Sequence, residues 1–172
     1  MLLAIVAGIN FLANAQTERA IRKLSLGADF GVPVGDFSKD RILVGGSLSY
    51  EHPIAPSLSL TGSVGFLAKN ITGDTRTEFK ASGWPTSISN IPIKAGVKYY
   101  FGRYFYASGE LGAAITTSSG GGEGFVYAAG IGASLPVFKK SSLDLGLRFE
   151  NWSYGAGTDR FVALRAAYSF GL

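Results

Sequence analysis

The chain contains no cysteine and a single histidine, His52, among its 172 residues. The absence of cysteine excludes disulfide bonds, thiol catalysis, iron–sulfur clusters and cysteine-based zinc sites. A single histidine excludes metal sites that need several imidazoles. Charged residues make up 16% of the chain, which is below the usual quarter or so. We therefore predict no catalytic residue, no metal site and no cofactor.

Long apolar runs are also missing, because no stretch after residue 17 reaches the roughly 18 residues that a membrane-spanning helix requires. The chain is instead rich in glycine, with 24 residues, and its hydrophobic fraction is 47%. This composition argues against disorder, which requires low hydrophobicity and high net charge. The length accommodates one domain.

The segment Met1–Thr17 is apolar, uncharged and typical of an export leader. The tripeptide Ala13-Asn14-Ala15 has the small-x-small form of a signal-peptidase site, and cleavage there would leave Gln16 as the first residue. The basic residue that usually opens such a leader is missing. We predict a signal peptide over residues 1–15 and a mature domain over residues 16–172. The alternative is a buried N-terminal helix or strand.

From residue 24 to the end, apolar residues alternate with small or polar ones, which is the period of a β-strand. The alternation predicts eight strands of roughly the length that a tilted transmembrane strand needs, about 9–11 residues, against about 5–6 in soluble proteins. They are Leu24–Val32, Ile42–Glu51, Leu58–Phe66, Ile91–Phe101, Phe105–Ile115, Phe125–Leu135, Leu143–Glu150 and Val162–Leu172.

The predicted connections alternate in length, as they do in outer-membrane barrels. The long connections are Pro33–Arg41, Lys69–Ser89, Thr117–Gly124 and Asn151–Arg160. The short connections are His52–Ser57, Gly102-Arg103 and Phe138–Ser142. Long loops at one end and tight turns at the other indicate an up-and-down barrel.

The polar face of these strands combines small residues with a nearly balanced set of charges, five acids including Glu51 and four bases. On a lipid-facing surface each Lys or Arg near the midplane would cost about 2–4 kcal/mol. We therefore predict that this face points inward and that its charges pair with one another. The predicted interior network consists of Asp29, Lys94, Lys98, Glu110, Asp144, Arg148, Glu150 and Arg165. The opposite, apolar face carries aromatic residues mostly near strand ends, as in interfacial girdles.

These features resemble the small outer-membrane β-barrel proteins of Gram-negative bacteria, of the OmpX and OmpA-barrel type. The resemblance covers about residues 22–172 and implies an all-β, antiparallel, up-and-down transmembrane barrel in the outer membrane. The final segment is similar to the family's assembly signal, with aromatic residues Tyr168 and Phe170, although the last residue is Leu172. The resemblance implies insertion by the outer-membrane assembly machinery, with periplasmic chaperones assisting transit.

The positive net charge of the chain comes from the predicted periplasmic side, where six bases and one acid sum to +5, and the interior reduces the total to +4. The predicted outer loops hold equal numbers of acids and bases. No surface combines a stripe of Lys and Arg with interleaved aromatics, so nucleic acid is not a predicted partner. Outer-membrane lipids are the predicted partners of the basic rim, and a solvated rim is the alternative.

His52 lies in the predicted Glu51-His52-Pro53 turn, and nothing in the sequence marks a nearby serine as activated. We therefore predict that the protein is not an enzyme. An eight-stranded bore is just wide enough for side chains to fill, so we predict no wide water channel. The alternatives are a lipid-modifying outer-membrane enzyme, a narrow channel for small solutes, or a soluble periplasmic barrel that binds an apolar ligand.

The outer loops are the predicted functional region, because loops on a rigid scaffold carry recognition and exposed aromatic side chains suit it. The longest connection contains Phe79 and Trp84, and the fourth contains Trp152 and Tyr154. These side chains either bind an extracellular ligand, whose identity the sequence does not indicate, or fold over the barrel mouth. The function predicted from the sequence is structural or surface recognition.

Overall fold

A computed structural model describes the chain over residues 21–35, 41–83, 86–117, 122–155 and 157–172. Within these residues, eight antiparallel strands close into one barrel in which each strand pairs with its neighbours along the chain. The last strand pairs with the first, which leaves the sheet without an open edge. The predicted eight-stranded, up-and-down barrel is confirmed. The predicted signal peptide, residues 1–15, lies outside the described residues.

The strands are β1 (Lys23–Pro33), β2 (Arg41–Ala55), β3 (Leu58–Ile71), β4 (Ser87–Phe101), β5 (Phe105–Thr116), β6 (Glu123–Phe138), β7 (Ser141–Tyr154) and β8 (Gly157–Gly171). A helix, α1 (Gly73–Ala81), lies between β3 and β4. The β2–β3, β4–β5 and β6–β7 turns lie at the same end of the barrel as residues 23 and 171. We call it the short-turn end, and the opposite end the long-loop end.

The fourth long loop predicted from the sequence, Asn151–Arg160, is wrong. In the structure β7 continues to Tyr154 and β8 begins at Gly157, so Trp152 pairs with Asp159 across a regular ladder. The side-chain alternation stops before the backbone pairing does. Continued pairing is favourable because it satisfies N–H and C=O groups that would otherwise need other partners.

Two further segments differ from the prediction. His52 is paired with Leu60 inside β2 rather than placed in a turn, because that strand continues to Ala55. The connection Lys69–Ser89 contains α1, none of whose residues is buried. The sequence of α1 has no stripe of apolar residues at helical spacing, so the pattern of apolar residues does not predict this helix. Among the described residues, neither this helix nor any other is long and apolar enough to cross a membrane.

The two faces of the barrel wall have opposite polarity. On the outward face, Leu26, Leu111 and Ile131 are 64%, 59% and 58% exposed. On the inward face, Asp29 and Glu150 are 2% and 1% exposed. An apolar exterior around a polar interior suits a barrel surrounded by lipid. The soluble alternative does not fit, because a soluble ligand-binding barrel has its apolar face inside.

Two glycines in the wall make room for the Tyr106 ring of β5. A Cβ atom added at Gly132 would lie 2.3 Å from the Tyr106 hydroxyl oxygen, and one added at Gly146 would lie 2.8 Å from it. That hydroxyl donates a 2.6 Å hydrogen bond to Asp144 Oδ1. Glycine is therefore required here by the close approach of a side chain from another strand.

The substitution Gly132→Val is expected to lower the free energy of unfolding by about 1–3 kcal/mol, the usual cost of overpacking an interior. The added side chain would displace Tyr106 from Asp144. The measurement is urea-induced unfolding from lipid vesicles, followed by tryptophan fluorescence. Gly109→Val is the matched control, because a Cβ atom at Gly109 meets nothing within 4 Å. Equal losses for the two variants would contradict this account of Gly132.

Candidate functional site

The interior charges form two clusters. The first, near the short-turn end, is centred on Lys98, whose Nζ lies 2.6 Å from Asp144 Oδ2 and 3.3 Å from Glu51 Oε2. The Tyr100 hydroxyl donates to Glu51 Oε1 at 2.8 Å, and the Tyr106 hydroxyl donates to Asp144. Both carboxylates are thereby paired and hydrogen-bonded, which buried charges require.

The second cluster lies further along the bore and joins two bases to three acids. Arg148 Nη2 lies 2.7 Å from Asp29 Oδ1 and 3.2 Å from Glu150 Oε1. Lys94 Nζ lies 2.9 Å from Glu150 Oε1 and 3.1 Å from Glu110 Oε2. These contacts come from β1, β4, β5 and β7, so the cluster ties the barrel wall together across its interior.

Arg165 reaches the network indirectly, through hydroxyl groups. Its Nε donates to Ser47 Oγ at 3.1 Å and its Nη2 donates to Ser49 Oγ at 2.9 Å. The Ser47 hydroxyl in turn donates to Asp29. The structure therefore places all eight predicted interior residues, and Glu51 with them, in two hydrogen-bonded clusters inside the bore.

An apolar cluster fills the bore between the second charge cluster and the long-loop end. We call it the apolar plug; it consists of Leu43, Leu67, Ala114, Val126, Trp152, Phe161 and Ala163, each at most 4% exposed. The Trp152 and Phe161 rings meet edge to face with centroids 5.2 Å apart. The Trp152 indole N–H donates to Glu150 Oε2 at 2.9 Å, which joins the plug to the charges below it.

The plug is the functional feature that sequence reasoning missed. Its members lie on the face predicted to be polar, near the long-loop ends of the strands. A signal for it exists in adjacent apolar pairs that break the alternation: Leu43-Val44, Phe66-Leu67, Phe125-Val126 and Phe161-Val162. In each pair one residue faces outward and the other faces the bore.

The structure changes the interpretation of the four aromatic residues predicted for recognition. Trp152 is fully buried in the plug, so its placement in an exposed loop is wrong. Tyr154 packs against the plug and its hydroxyl donates to Asn90 Oδ1 at 3.3 Å. Phe79 is half-buried in α1. Trp84 lies outside the described residues. Two of the four therefore close the barrel mouth.

A pocket of about 350 Å³ lies at the long-loop end, above the plug. We call it the loop-end pocket; it is lined by Pro33, Val34, Gly35, Arg41, Leu43, Lys69, Thr158, Asp159, Arg160 and Phe161. Three bases and one acid are among its lining residues, and Lys69 is paired with Asp159. Among the described residues, no ion pair joins Arg41 or Arg160 to an acid. Its floor includes Leu43 and Phe161, two members of the plug.

The remaining candidate residues do not form a catalytic or metal-binding arrangement within the described residues. His52 Nδ1 lies 3.5 Å from the Tyr50 hydroxyl oxygen, a tyrosine and not a serine or a carboxylate. In the part of the chain that the structure describes, no group of three or more His, Asp or Glu side chains is placed to hold a metal ion. The Tyr168 and Phe170 rings of the proposed assembly signal are 4.8 Å apart at the short-turn end, and Leu172 is exposed.

Solved structures of small outer-membrane proteins have the same fold. Neisserial surface protein A has a TM-score of 0.62 at 15% identity, covering 88% of this chain and 97% of its own. The attachment invasion locus protein Ail of Yersinia pestis has a TM-score of 0.58 at 17% identity, covering 88% of this chain and 99% of its own. Ail has also been solved in complex with the heparin analogue sucrose octasulfate, with a TM-score of 0.57.

These likenesses establish the fold: the chain is a closed eight-stranded barrel of the outer-membrane type. No protein-family model matches the chain, and no curated protein matches it.

Removing the central cation of the first charge cluster by Lys98→Met is expected to lower the free energy of unfolding by about 3–5 kcal/mol. Its removal leaves Asp144 and Glu51 buried without a compensating charge. Urea-induced unfolding from vesicles measures the loss. The control is Lys80→Met on exposed α1, which is expected to change stability by less than about 0.5 kcal/mol. A loss of similar size in both variants would show that Lys98 has no special role.

Purified protein is expected to give no steady single-channel steps in planar lipid bilayers. Two charge clusters and the apolar plug fill the bore, and the cavity that borders both clusters measures about 40 Å³, room for a few waters at most. The measurement is the current at fixed voltage after the protein is incorporated into the bilayer. A shift in gel mobility on boiling first shows that the barrel is folded. Reproducible conductance steps of one size would contradict a filled bore.

Proposed function

We propose that the protein is an integral outer-membrane barrel that binds an anionic ligand from outside the cell in its loop-end pocket. The short turns would face the periplasm and the long loops the exterior, as in other bacterial barrels. The apolar outward face supports residence in a membrane, because its large side chains would otherwise be exposed to water.

The composition and rigidity of the loop-end pocket carry this proposal. Arg41 begins β2, Lys69 lies near the end of β3, and Arg160 lies in β8. Since all three belong to the paired barrel wall, their backbones are held in place before a ligand arrives. A preorganised site loses less conformational entropy on binding than a mobile loop does.

Charge defines the ligand class. Lys69 and Asp159 neutralise each other, so among the described lining residues the charges of the two arginines are not balanced by an acid. Guanidinium groups bind carboxylate, sulfate and phosphate in a two-pronged geometry. The apolar plug beneath the pocket supports binding rather than transport, because an anion would have to leave water to pass it.

The complex of Ail with a heparin analogue supports the proposal in one respect, since it shows that a barrel of this fold has held a polysulfated sugar. We infer a binding role rather than catalysis, because the contact that His52 makes among the described residues is with Tyr50 and not with a serine or a carboxylate. Phe79 of α1 stays a candidate contact for an extracellular ligand. Assembly through Tyr168, Phe170 and Leu172, with periplasmic chaperones, stays a prediction.

The test uses sucrose octasulfate as the probe and isothermal titration calorimetry on folded protein in detergent. The double variant Arg41→Gln, Arg160→Gln is expected to weaken binding at least tenfold, since it removes two charge-assisted contacts. Binding to the unaltered protein is expected to weaken as salt is raised, because exposed charges are screened.

The matched control is Arg76→Gln, Lys80→Gln on exposed α1, which removes the same charge from the same end of the barrel outside the pocket. It is expected to retain affinity within about threefold. If both double variants lose affinity equally, attraction is a property of the whole loop surface and the pocket proposal fails. Failure of the unaltered protein to bind the probe at low salt also contradicts it.

A further inference from the structure

A second basic pocket, of about 170 Å³, lies at the short-turn end. We call it the turn-end pocket; it is lined by Ile21, Lys23, Arg103, Tyr104, Ser134, Pro136, Phe138, Lys139, Lys140, Ser141 and Ser142. Four of these side chains are cationic, and no carboxylate side chain is among them. The four cations come from β1, the β4–β5 turn and the β6–β7 turn. Closure of the barrel is therefore what brings them together.

Backbone hydrogen bonds fix the position of the two turns. Ser134 N–H donates to the Tyr104 carbonyl oxygen at 2.8 Å, which links β6 to the β4–β5 turn. Gly171 N–H donates to the Lys140 carbonyl oxygen at 2.5 Å, which links β8 to the β6–β7 turn. Gly102 has φ 68°, a conformation that favours glycine and allows the first turn to be tight. The pocket is thus held open by its own backbone.

The charges of this pocket differ from those of the bore. Lys94, Lys98 and Arg148 in the bore each contact at least two carboxylates. In the described part of the chain, no ion pair joins Arg103, Lys139 or Lys140 to an acid. Clustered cations repel one another, and a bound anion would relieve that repulsion. The buried Ser134 hydroxyl donates to Ser142 Oγ at 3.2 Å, which leaves the Ser142 hydroxyl as one further donor at the pocket wall.

An exposed apolar surface adjoins the cations. Phe138 lines the pocket and is 70% exposed, and its neighbour Val137 is 51% exposed. A small soluble anion gains no binding energy from contact with an apolar surface, whereas a phospholipid carries a phosphate and acyl chains on one molecule. We propose that the turn-end pocket binds the phosphate headgroup of a phospholipid in the periplasmic leaflet, with its acyl chains against Phe138 and Val137. This inference rests on the proposed membrane residence but not on the loop-end ligand.

The experiment measures binding of dioleoylphosphatidylglycerol to folded, detergent-purified protein by native mass spectrometry. The double variant Arg103→Gln, Lys139→Gln is expected to weaken binding at least tenfold. Arg22→Gln is the charge control, because Arg22 is exposed at the same end but does not line the pocket. It is expected to stay within twofold of the unaltered protein, as is the loop-surface double variant Arg76→Gln, Lys80→Gln.

Two further arms identify the chemical source of the anion. Phe138→Ser is expected to weaken phosphatidylglycerol binding several-fold, and dioleoylglycerol, which has the same chains without phosphate, is expected to bind at least tenfold more weakly. Each variant is first shown to be folded by its mobility shift on boiling. If the double variant does not fold, the single variants Arg103→Gln and Lys139→Gln replace it, each with an expected threefold loss.

Three results would overturn the proposal. The first is equal loss of lipid in Arg22→Gln and the pocket variants, which would indicate diffuse attraction to the rim. The second is displacement of the lipid by inorganic phosphate at submillimolar concentration, which would indicate a site for a soluble anion. The third is no retention of phosphatidylglycerol by folded protein. None of these results bears on sucrose octasulfate binding at the other end, so the two proposals fail independently.

Discussion

Pairing of opposite charges inside the bore is the interaction on which the rest of the structure depends. The wall can be apolar outside because its charged residues face inward, and they can face inward because nearly every one meets an opposite charge. Lys98 and Arg148 show why the sites are interdependent, since each contacts carboxylates from two or more different strands. Replacing one acid therefore strains a cluster rather than a single bond. The same pairing that supports membrane residence also fills the channel.

Because the bore is filled, the two ends of the barrel are the places where we propose that ligands bind. Below the loop-end pocket, Trp152 belongs to the apolar plug and also donates to Glu150, so plug and charges form one continuous packing. The filled bore leaves no path that connects the pocket at one end with the pocket at the other. Each end nevertheless holds a pocket in which bases outnumber acids, built on strand ends or tight turns whose backbones are fixed. The structure is therefore a filled barrel with a separate pocket at each end rather than an open conduit.

Strand number and the set of residues that share a face follow from alternation, because a period of two assigns every residue to one side of the wall. The up-and-down order follows from the connection lengths, and the inward direction of the polar face follows from the cost of placing its charges against lipid. The interior network was accordingly predictable by residue: Asp29, Lys94 and Glu150 all share the face that became the bore. The plug was not predicted, because its signal in the sequence is a set of adjacent apolar pairs that interrupt the alternation, and not a period of its own. The placement of Trp152 failed for the same reason. The ion pair of Lys69 with Asp159 has no signal in the sequence, because the two residues lie far apart along the chain and meet only when the barrel closes.

The total charge of the predicted outer loops does not show where charged side chains cluster in the folded barrel. The outer connections predicted from the sequence contain equal numbers of acids and bases. The loop-end pocket is nevertheless lined by three bases, Arg41, Lys69 and Arg160, and by one acid, Asp159. A charge matters to a ligand only within about a Debye length, roughly 8 Å at physiological salt. A neutral loop surface can therefore contain a locally positive site. The barrel makes this separation possible because each strand end holds its side chain at a set place around the rim.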